Sequence, residues 1–275
     1  MQVVEANGVR IPTIGLGTIT LKGDVCVQAV KSALQLGYRH LDTAAFYGNE
    51  VENGEGLRQS GVKREEVFIC TKVRQENLRP ADFVKVIDQS LINLKLPYVD
   101  LLLIHWNNKD IPFSESISAL CQAKKDGKTR HVGVANFTTR MLDEAWAVTT
   151  EPLVCNQIEM HPFINQDKVL AACKKRDMAV VAYCPIARGK VPGADALERI
   201  GEAHGKTAAQ VSLRYLVQRG GISPIPRTAT PEHLKQNLDV FDFTLSDAEM
   251  AELKALNATN MRVVNPPHAP VWDTP

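Results

Sequence analysis

The stretch GYRHLDTAAFYGNEVENGEGLRQSGVKREEVFICTK, residues 37–72, contains a complete strand–helix–strand unit. Arg39–Asp42 reads as a short strand ending on an acid, and Val67–Thr71 as a second, ending at Lys72. A helix-length segment starting near Asn49 lies between them. Strands joined through a helix run parallel, because parallel pairing needs a crossover of a dozen or more residues.

The alternation extends in both directions. Upstream, Thr13–Leu16 reads as a strand, preceded by a hairpin of Val3–Val4 against Val9–Ile11 turning at Asn7-Gly8. Downstream, strands are expected at Val99–Ile104, His131–Val134, Leu153–Gln157, Ala179–Tyr183 and Ile222–Ile225. Helices are expected to start near Asp24, Asn49, Pro80, Ser114, Thr138, Asn165, Ala194 and Pro231. Local chemistry marks several boundaries. Gly37 and Gly127 suit helix ends, Pro80 a first helical position, and Ser114 with Glu115 a helix start. Ser246-Asp247-Ala248-Glu249 has the pattern of a capping box.

Eight strand–helix units imply an α/β fold with a parallel sheet. With no linker or break in composition, a closed (β/α)8 TIM barrel is favoured over an open doubly wound sheet, as one domain over residues 1–275. Ala194–Gln218, broken at Gly205, reads as one longer insertion. After Asn257 the chain becomes an irregular tail with Pro266, Pro267, Pro270 and Pro275, expected to lie over one barrel end.

Bulk properties narrow the function. Lys and Arg (32) nearly cancel Asp and Glu (31), so nucleic acid is not the expected partner. No apolar run approaches the ~20 residues of a membrane span, and the N-terminus lacks a signal-peptide layout. Six cysteines without paired spacing point to free thiols and a cytoplasmic protein.

The strand ends carry the strongest functional signal. Asp42, Lys72, His105, Asn136, Gln157, Tyr183 and Arg227 each closely follow an apolar run. In a parallel barrel such ends converge on the face where the active site is built. A lone Asp–Lys pair or a lone histidine at a strand end is more often structural; seven polar strand ends on one face reverse that balance. Asp42 and Lys72 can form a partly buried ion pair, with Tyr47 on the same loop system and His105 on a neighbouring strand. A nearby ammonium favours the phenolate, so Lys72 is expected to lower the pKa of Tyr47 from its ordinary value of roughly 10. Tyr47 would then donate a proton to a carbonyl oxygen while a hydride arrives from elsewhere.

These residues resemble those of a known family. GYRHLDTAAFYGNE at 37–50 is similar to the aldo-keto reductase motif, and CTKV, LLLIHW, GVANF, NQIEMHPF and IPRTATPEHLKQN follow in the family's order. The likeness runs from about Thr13 to Asn265 and is greatest to the compact bacterial branch that includes the 2,5-diketo-gluconate reductases. It implies a (β/α)8 barrel, NADP(H) as cofactor, a catalytic tetrad of Asp42, Tyr47, Lys72 and His105, and a monomer. It further implies that Thr18, Asp42, Asn136 and Gln157 contact the cofactor and that Tyr183 stacks on its nicotinamide. Arg227 and Thr228 would hold the 2′-phosphate, with His233 and Asn237 beside the adenosine. Ile19, Thr20, Phe46, Trp106 and Trp272 are candidate walls for a small carbonyl substrate. Ala135 stands where the family usually has serine, His233 where it has arginine, and Gln236 where it has glutamate. These departures touch cofactor preference and leave the tetrad intact.

Other patterns are set aside. Gly15-Leu16-Gly17 lacks the third glycine of a dinucleotide loop, and Gly205-Lys206-Thr207 lacks the earlier glycine and strand of a P-loop. Asp42, His105, Glu159 and His161 are not expected to bind a metal. Two further functions use the same residues. One is a regulatory nucleotide-binding protein, and the other is a lyase or aldolase using Lys72 as a Schiff-base nucleophile.

Overall fold

The computed structural model describes residues 2–191 and 193–274, so Pro275 of the tail lies outside it. The hairpin comprises β1 (Val3–Ala6) and β2 (Val9–Pro12). It is one to two residues longer per strand than expected, and pairs antiparallel from Val3 opposite Pro12 to Ala6 opposite Val9. Asn7 and Gly8 both take positive φ, as a tight hairpin turn requires.

The parallel layer then begins with β3 (Leu16–Gly17), α1 (Gly23–Leu36), β4 (His40–Asp42), α2 (Glu50–Ser60), β5 (Phe68–Val73) and α3 (Pro80–Leu94). It continues through β6 (Val99–Ile104), α4 (Phe113–Lys125), β7 (Thr129–Ala135), α5 (Thr139–Val148), β8 (Leu153–Glu159) and α6 (Asp167–Lys174). Last come β9 (Ala179–Tyr183), α7 (Asp195–His204), α8 (Ala208–Gln218), β10 (Ile222–Pro224), α9 (Pro231–Leu238) and α10 (Asp247–Ala255). The strands β3 to β10 form one sheet in sequence order, with every neighbouring pair parallel. This is the (β/α)8 architecture.

The seam between β3 and β10 has a sequence cause. Pro224 and Pro226 have no N–H, so at these positions the last strand can only accept from the first. It does so at both: the Gly15 N–H donates to the Pro224 carbonyl and the Gly17 N–H to the Pro226 carbonyl, each at 3.1 Å. Side chains are excluded there. A Cβ on Gly17 would lie 2.8 Å from the Ile225 carbonyl oxygen, and one on Gly15 would meet the buried ring of His40 at 2.7 Å. β3 is shorter and later than the expected Thr13–Leu16. Gly17→Ala is expected to cost about 1–3 kcal/mol through overpacking, read as a lower urea midpoint; an unchanged midpoint would show that the seam can yield.

Inside the barrel, Cys70, Leu101, Leu103, Cys155 and Val181 pack with Val4, Val9 and Ile11 of the hairpin, which plugs one end. The strands' opposite faces pack against the helices in a larger cluster.

Gly37 ends α1 at φ 107°, Pro80 opens α3, and Ser246 and Glu249 form a reciprocal capping box on α10. Gly127 takes φ 74° just past α4. Ser114 does not cap α4: the Pro112 carbonyl already accepts from the N–H groups of Glu115 and Ser116, so the helix starts before Ser114. The insertion is two helices, α7 ending at Gly205 and α8 opening on a Thr207–Gln210 capping box. The residues that resembled a P-loop are therefore a helix end and a helix start. All six cysteines are free thiols. Among the described residues, no helix is long and apolar enough to cross a membrane.

Candidate active site

Strands β4, β5 and β6 are adjacent and parallel, so their ends bring Asp42, Lys72 and His105 to one face. Lys72 Nζ lies 2.6 Å from Asp42 Oδ1 and donates also to the Thr43 carbonyl at 2.7 Å. Both side chains are buried. The second carboxylate oxygen of Asp42 accepts from Gln157 Nε2 at 2.7 Å. Burial opposes the Lys72 charge, the adjacent Asp42 carboxylate favours it, and the ammonium is held above its ordinary pKa.

Tyr47 follows from a single 3-10 turn, Ala45–Tyr47, closed by Gly48 in the left-handed region. Its ring centroid lies 5.1 Å from Lys72 Nζ and 5.8 Å from the His105 ring, which it meets edge-on. Part of its surface still faces solvent. Desolvation nevertheless pushes its pKa up to about 12, against the pull of Lys72 in the other direction. The sequence expectation of a lowered value is corrected here: Lys72 acts with the expected sign, and burial is stronger. His105 is pushed well below its ordinary pKa by burial, then by Lys72 and Arg74, so its imidazole is neutral. Among the described residues its Nδ1 is buried without a partner.

Buried polar residues inside the quoted motif hold this loop. Asn49 accepts from Thr43 Oγ1 at 2.9 Å and donates to the carbonyls of Thr18 and Leu21. Glu50 accepts from Thr71 Oγ1 at 2.7 Å. Lys22 reaches from the preceding loop to the carbonyls of Tyr47 and Gly48. Sequence reasoning gave none of these three a role. Asn49 and Glu50 were visible as polar residues beside Tyr47, whereas Lys22 carried no signal.

The adjacent strand ends form a second polar group. Asn136 takes φ 63°, a conformation asparagine tolerates better than most residues. Its Nδ2 donates to the His105 carbonyl at 3.0 Å and its Oδ1 accepts from Tyr183 Oη at 2.8 Å. Thr18 is buried, with Oγ1 donating to the Asp42 carbonyl. Arg227 and His233 are exposed, while Thr228 Oγ1 accepts from the Thr230 N–H. Asn237 is buried within α9.

Of the candidate wall residues, Trp106 is buried and meets both His268 and Trp272 edge-on, at 5.1 and 6.1 Å. Ile19 and Phe46 are exposed. Phe46 is covered by the Arg74 guanidinium, 3.8 Å from its ring centroid. Thr20 is exposed at φ 65°. Two surface cavities, about 460 Å³ beside Lys206 and about 370 Å³ beside Phe46 and Arg74, are lined by none of the four tetrad side chains.

Glu159 and His161 have another use. Glu159 accepts from the backbone N–H groups of Val263 and Val264 at 2.6 and 2.8 Å, and pairs with His161 Nε2 at 3.0 Å. The fully buried carboxylate thereby fixes the start of the C-terminal tail. Farther on, Asp273 accepts from the backbone and hydroxyl of Thr139 at the start of α5. The tail runs across the barrel mouth between these two anchors. Among the described residues, no group of three or more His, Cys, Asp or Glu is placed to hold a metal ion.

The parallel barrel thus brings a buried Asp–Lys pair, a tyrosine and a histidine together at its strand ends. The sequence matches the Aldo/keto reductase family model over residues 13–258, and the chain belongs to that family. It is 39% identical over 267 residues to methylglyoxal reductase DkgB of Escherichia coli O157:H7, covering 96% of this chain and 99% of that protein. It is 38% identical over 261 residues to glyoxal reductase of Bacillus subtilis (strain 168), covering 94% of each. Among solved structures, one assigned as a 2,5-diketo-D-gluconic acid reductase B superposes with a TM-score of 0.97 at 43% identity, covering 100% of this chain and 98% of the other. An aldo-keto reductase of Bombyx mori in complex with NADP superposes at 0.89 with 32% identity, covering 96% and 94%.

Proposed function

We propose that this protein is an NADPH-dependent reductase of small aldehydes, ketones, dicarbonyls or keto sugar acids, with Tyr47 as the general acid. One observation carries the proposal: the buried Lys72–Asp42 pair at 2.6 Å, lying 5.1 Å from the Tyr47 ring. Tyr47 stays protonated at neutral pH and gives its proton to the carbonyl oxygen. Lys72 stabilises the phenolate left behind, and Asp42 holds Lys72 charged and aimed. A neutral His105 orients the carbonyl by hydrogen bonding without competing as an acid.

The cofactor supplies the hydride. The strand-end residues suit it: Asn136, Gln157 and Tyr183 already form a polar cluster with the tetrad, two of them one hydrogen bond from it. Arg227 and His233 lie exposed beside the start of α9, where charged and ring donors are available to a phosphate. Asn237, buried within α9, is assigned to the adenosine by the family resemblance. Arg227→Ala is expected to raise the KM for NADPH about tenfold or more and leave the KM for NADH nearly unchanged. Equal effects on both would remove Arg227 from the 2′-phosphate.

A Schiff-base role for Lys72 would need a neutral amine. Its buried carboxylate partner and raised pKa oppose that. The reductase is tested by following NADPH absorbance with methylglyoxal, a keto ester, a diketo sugar acid and an aromatic aldehyde. NADPH binding without turnover on any of them would favour the regulatory function instead. A cytoplasmic monomer completes the proposal.

A further inference from the structure

Arg262 stands where the tail first crosses the barrel mouth, directly before the two residues that Glu159 clamps. Its guanidinium carbon lies 3.8 Å from the ring centroid of Trp272, which in turn packs on Trp106, the residue after His105. Its charge also acts on Tyr183 at the end of β9. The side chain thus stands on the tail aromatic that packs against Trp106, the residue that follows His105.

Among the described residues Arg262 forms no ion pair, and its Nη1 is buried without a hydrogen-bond partner. Leaving a buried charged donor unpaired is costly. Glu159, the carboxylate whose charge it feels, is already occupied by Val263, Val264 and His161. A nearby guanidinium at the mouth, Arg74, is engaged: its Nε is 3.3 Å from Glu76 and its plane covers Phe46. Trp272 is pinned in turn by its Nε1 donating to Asn265 Oδ1 at 2.8 Å, so the aromatic face under Arg262 is fixed. Together these contacts hold a pre-positioned cation with spare donors beside the site.

We propose that Arg262 is a specificity-determining residue that receives an anionic group, a carboxylate on the substrate, and so favours oxo acids and aldehyde acids over uncharged carbonyls of the same size. The proposal deepens the carbonyl-reduction function above and rests on it. Glu159 acts as a positioning residue, setting Arg262 in place through the Val263 and Val264 backbone. A carboxylate fits the guanidinium fork in bidentate geometry, whereas an ester presents no charge to it.

The test compares acid and ester forms of one carbonyl, benzoylformate against its methyl ester and 4-carboxybenzaldehyde against its methyl ester. The wild type should show higher kcat/KM on each acid, and Arg262→Met should lower that value at least tenfold while the esters change less than twofold. Glu159→Gln should move the acids in the same direction and by less. Binding is followed separately, by tryptophan fluorescence of the NADP-saturated protein titrated with benzoate and benzamide. Arg262→Met should weaken benzoate and leave benzamide alone. Equal loss on acids and esters would overturn the proposal and make Arg262 a purely structural part of the tail. Weakened NADPH binding with unchanged acid preference would also overturn it, assigning the anion to the cofactor's phosphates. Wild-type protein that binds benzoate through Arg262 yet turns over no carbonyl would sink the reductase function while leaving the anion site standing.

Discussion

Tyr47→Phe is expected to lower carbonyl reduction by a factor of about 10²–10⁴, the usual worth of a positioned general acid. NADPH affinity should stay near normal. The substitution removes one hydroxyl and leaves the ring, so its edge contact with His105 and its place beside Lys72 persist. The hydroxyl is the group to which the proposed function assigns the proton transfer. Desolvation pushes its pKa up to about 12, so the proton stays on oxygen across the neutral range. The sign follows: reduction needs the protonated form, and only a rise in pH towards that value removes it. Wild-type kcat/KM should therefore show no downturn assignable to Tyr47 below about pH 9, a unit or so under the ordinary tyrosine range. A fully active Tyr47→Phe variant, measured with methylglyoxal and saturating NADPH, would remove Tyr47 from the acid role. A variant that also fails to bind NADPH would point to collapse of the loop instead.

The pKa illustrates what the sequence could and could not convey. Polar residues following apolar runs placed Asp42, Lys72 and His105 on one face, because strand direction and the parallel fold decide which ends meet. The local pattern also located the capping box at Ser246–Glu249 and the helix end at Gly37, both set by a few adjacent residues. The net direction of the Tyr47 shift was not legible, since it is a contest between one nearby charge and the protein packed around the ring. Sequence proximity reveals the charge and conceals the packing. The same applies to the seam: Gly15 and Gly17 looked like a failed nucleotide loop, and their use appears only when Ile225 is brought against them from far along the chain. Glu159 was visible as a possible ligand, but its partners are backbone N–H groups of Val263 and Val264, which no side-chain pattern announces. Ser114 misled because a good capping residue competes with where the preceding proline starts the turn.

Lys72→Met is the substitution expected to damage both folding and chemistry. The lysine is fully buried, and its ammonium satisfies the Asp42 carboxylate and the Thr43 carbonyl at once. Methionine fills similar volume and offers neither a charge nor a donor, so Asp42 is left with Gln157 as its donor. Breaking a buried ion pair from one side costs about 3–5 kcal/mol, chiefly because the remaining charge is stranded. A lower urea midpoint with an unchanged denaturant slope would report that loss. Replacing both partners, Lys72→Met with Asp42→Leu, should recover part of the stability, because the stranded carboxylate goes too. It should recover none of the activity, because the Tyr47 phenolate would still lack its cation. Stability and catalysis then separate: the ion pair's contribution to the fold can be replaced by apolar packing, and its contribution to proton transfer cannot. Should the single variant unfold at the wild-type midpoint, Asp42 must find another partner or a proton. Should the double variant regain turnover, the proton would have to come from a route that does not use Lys72.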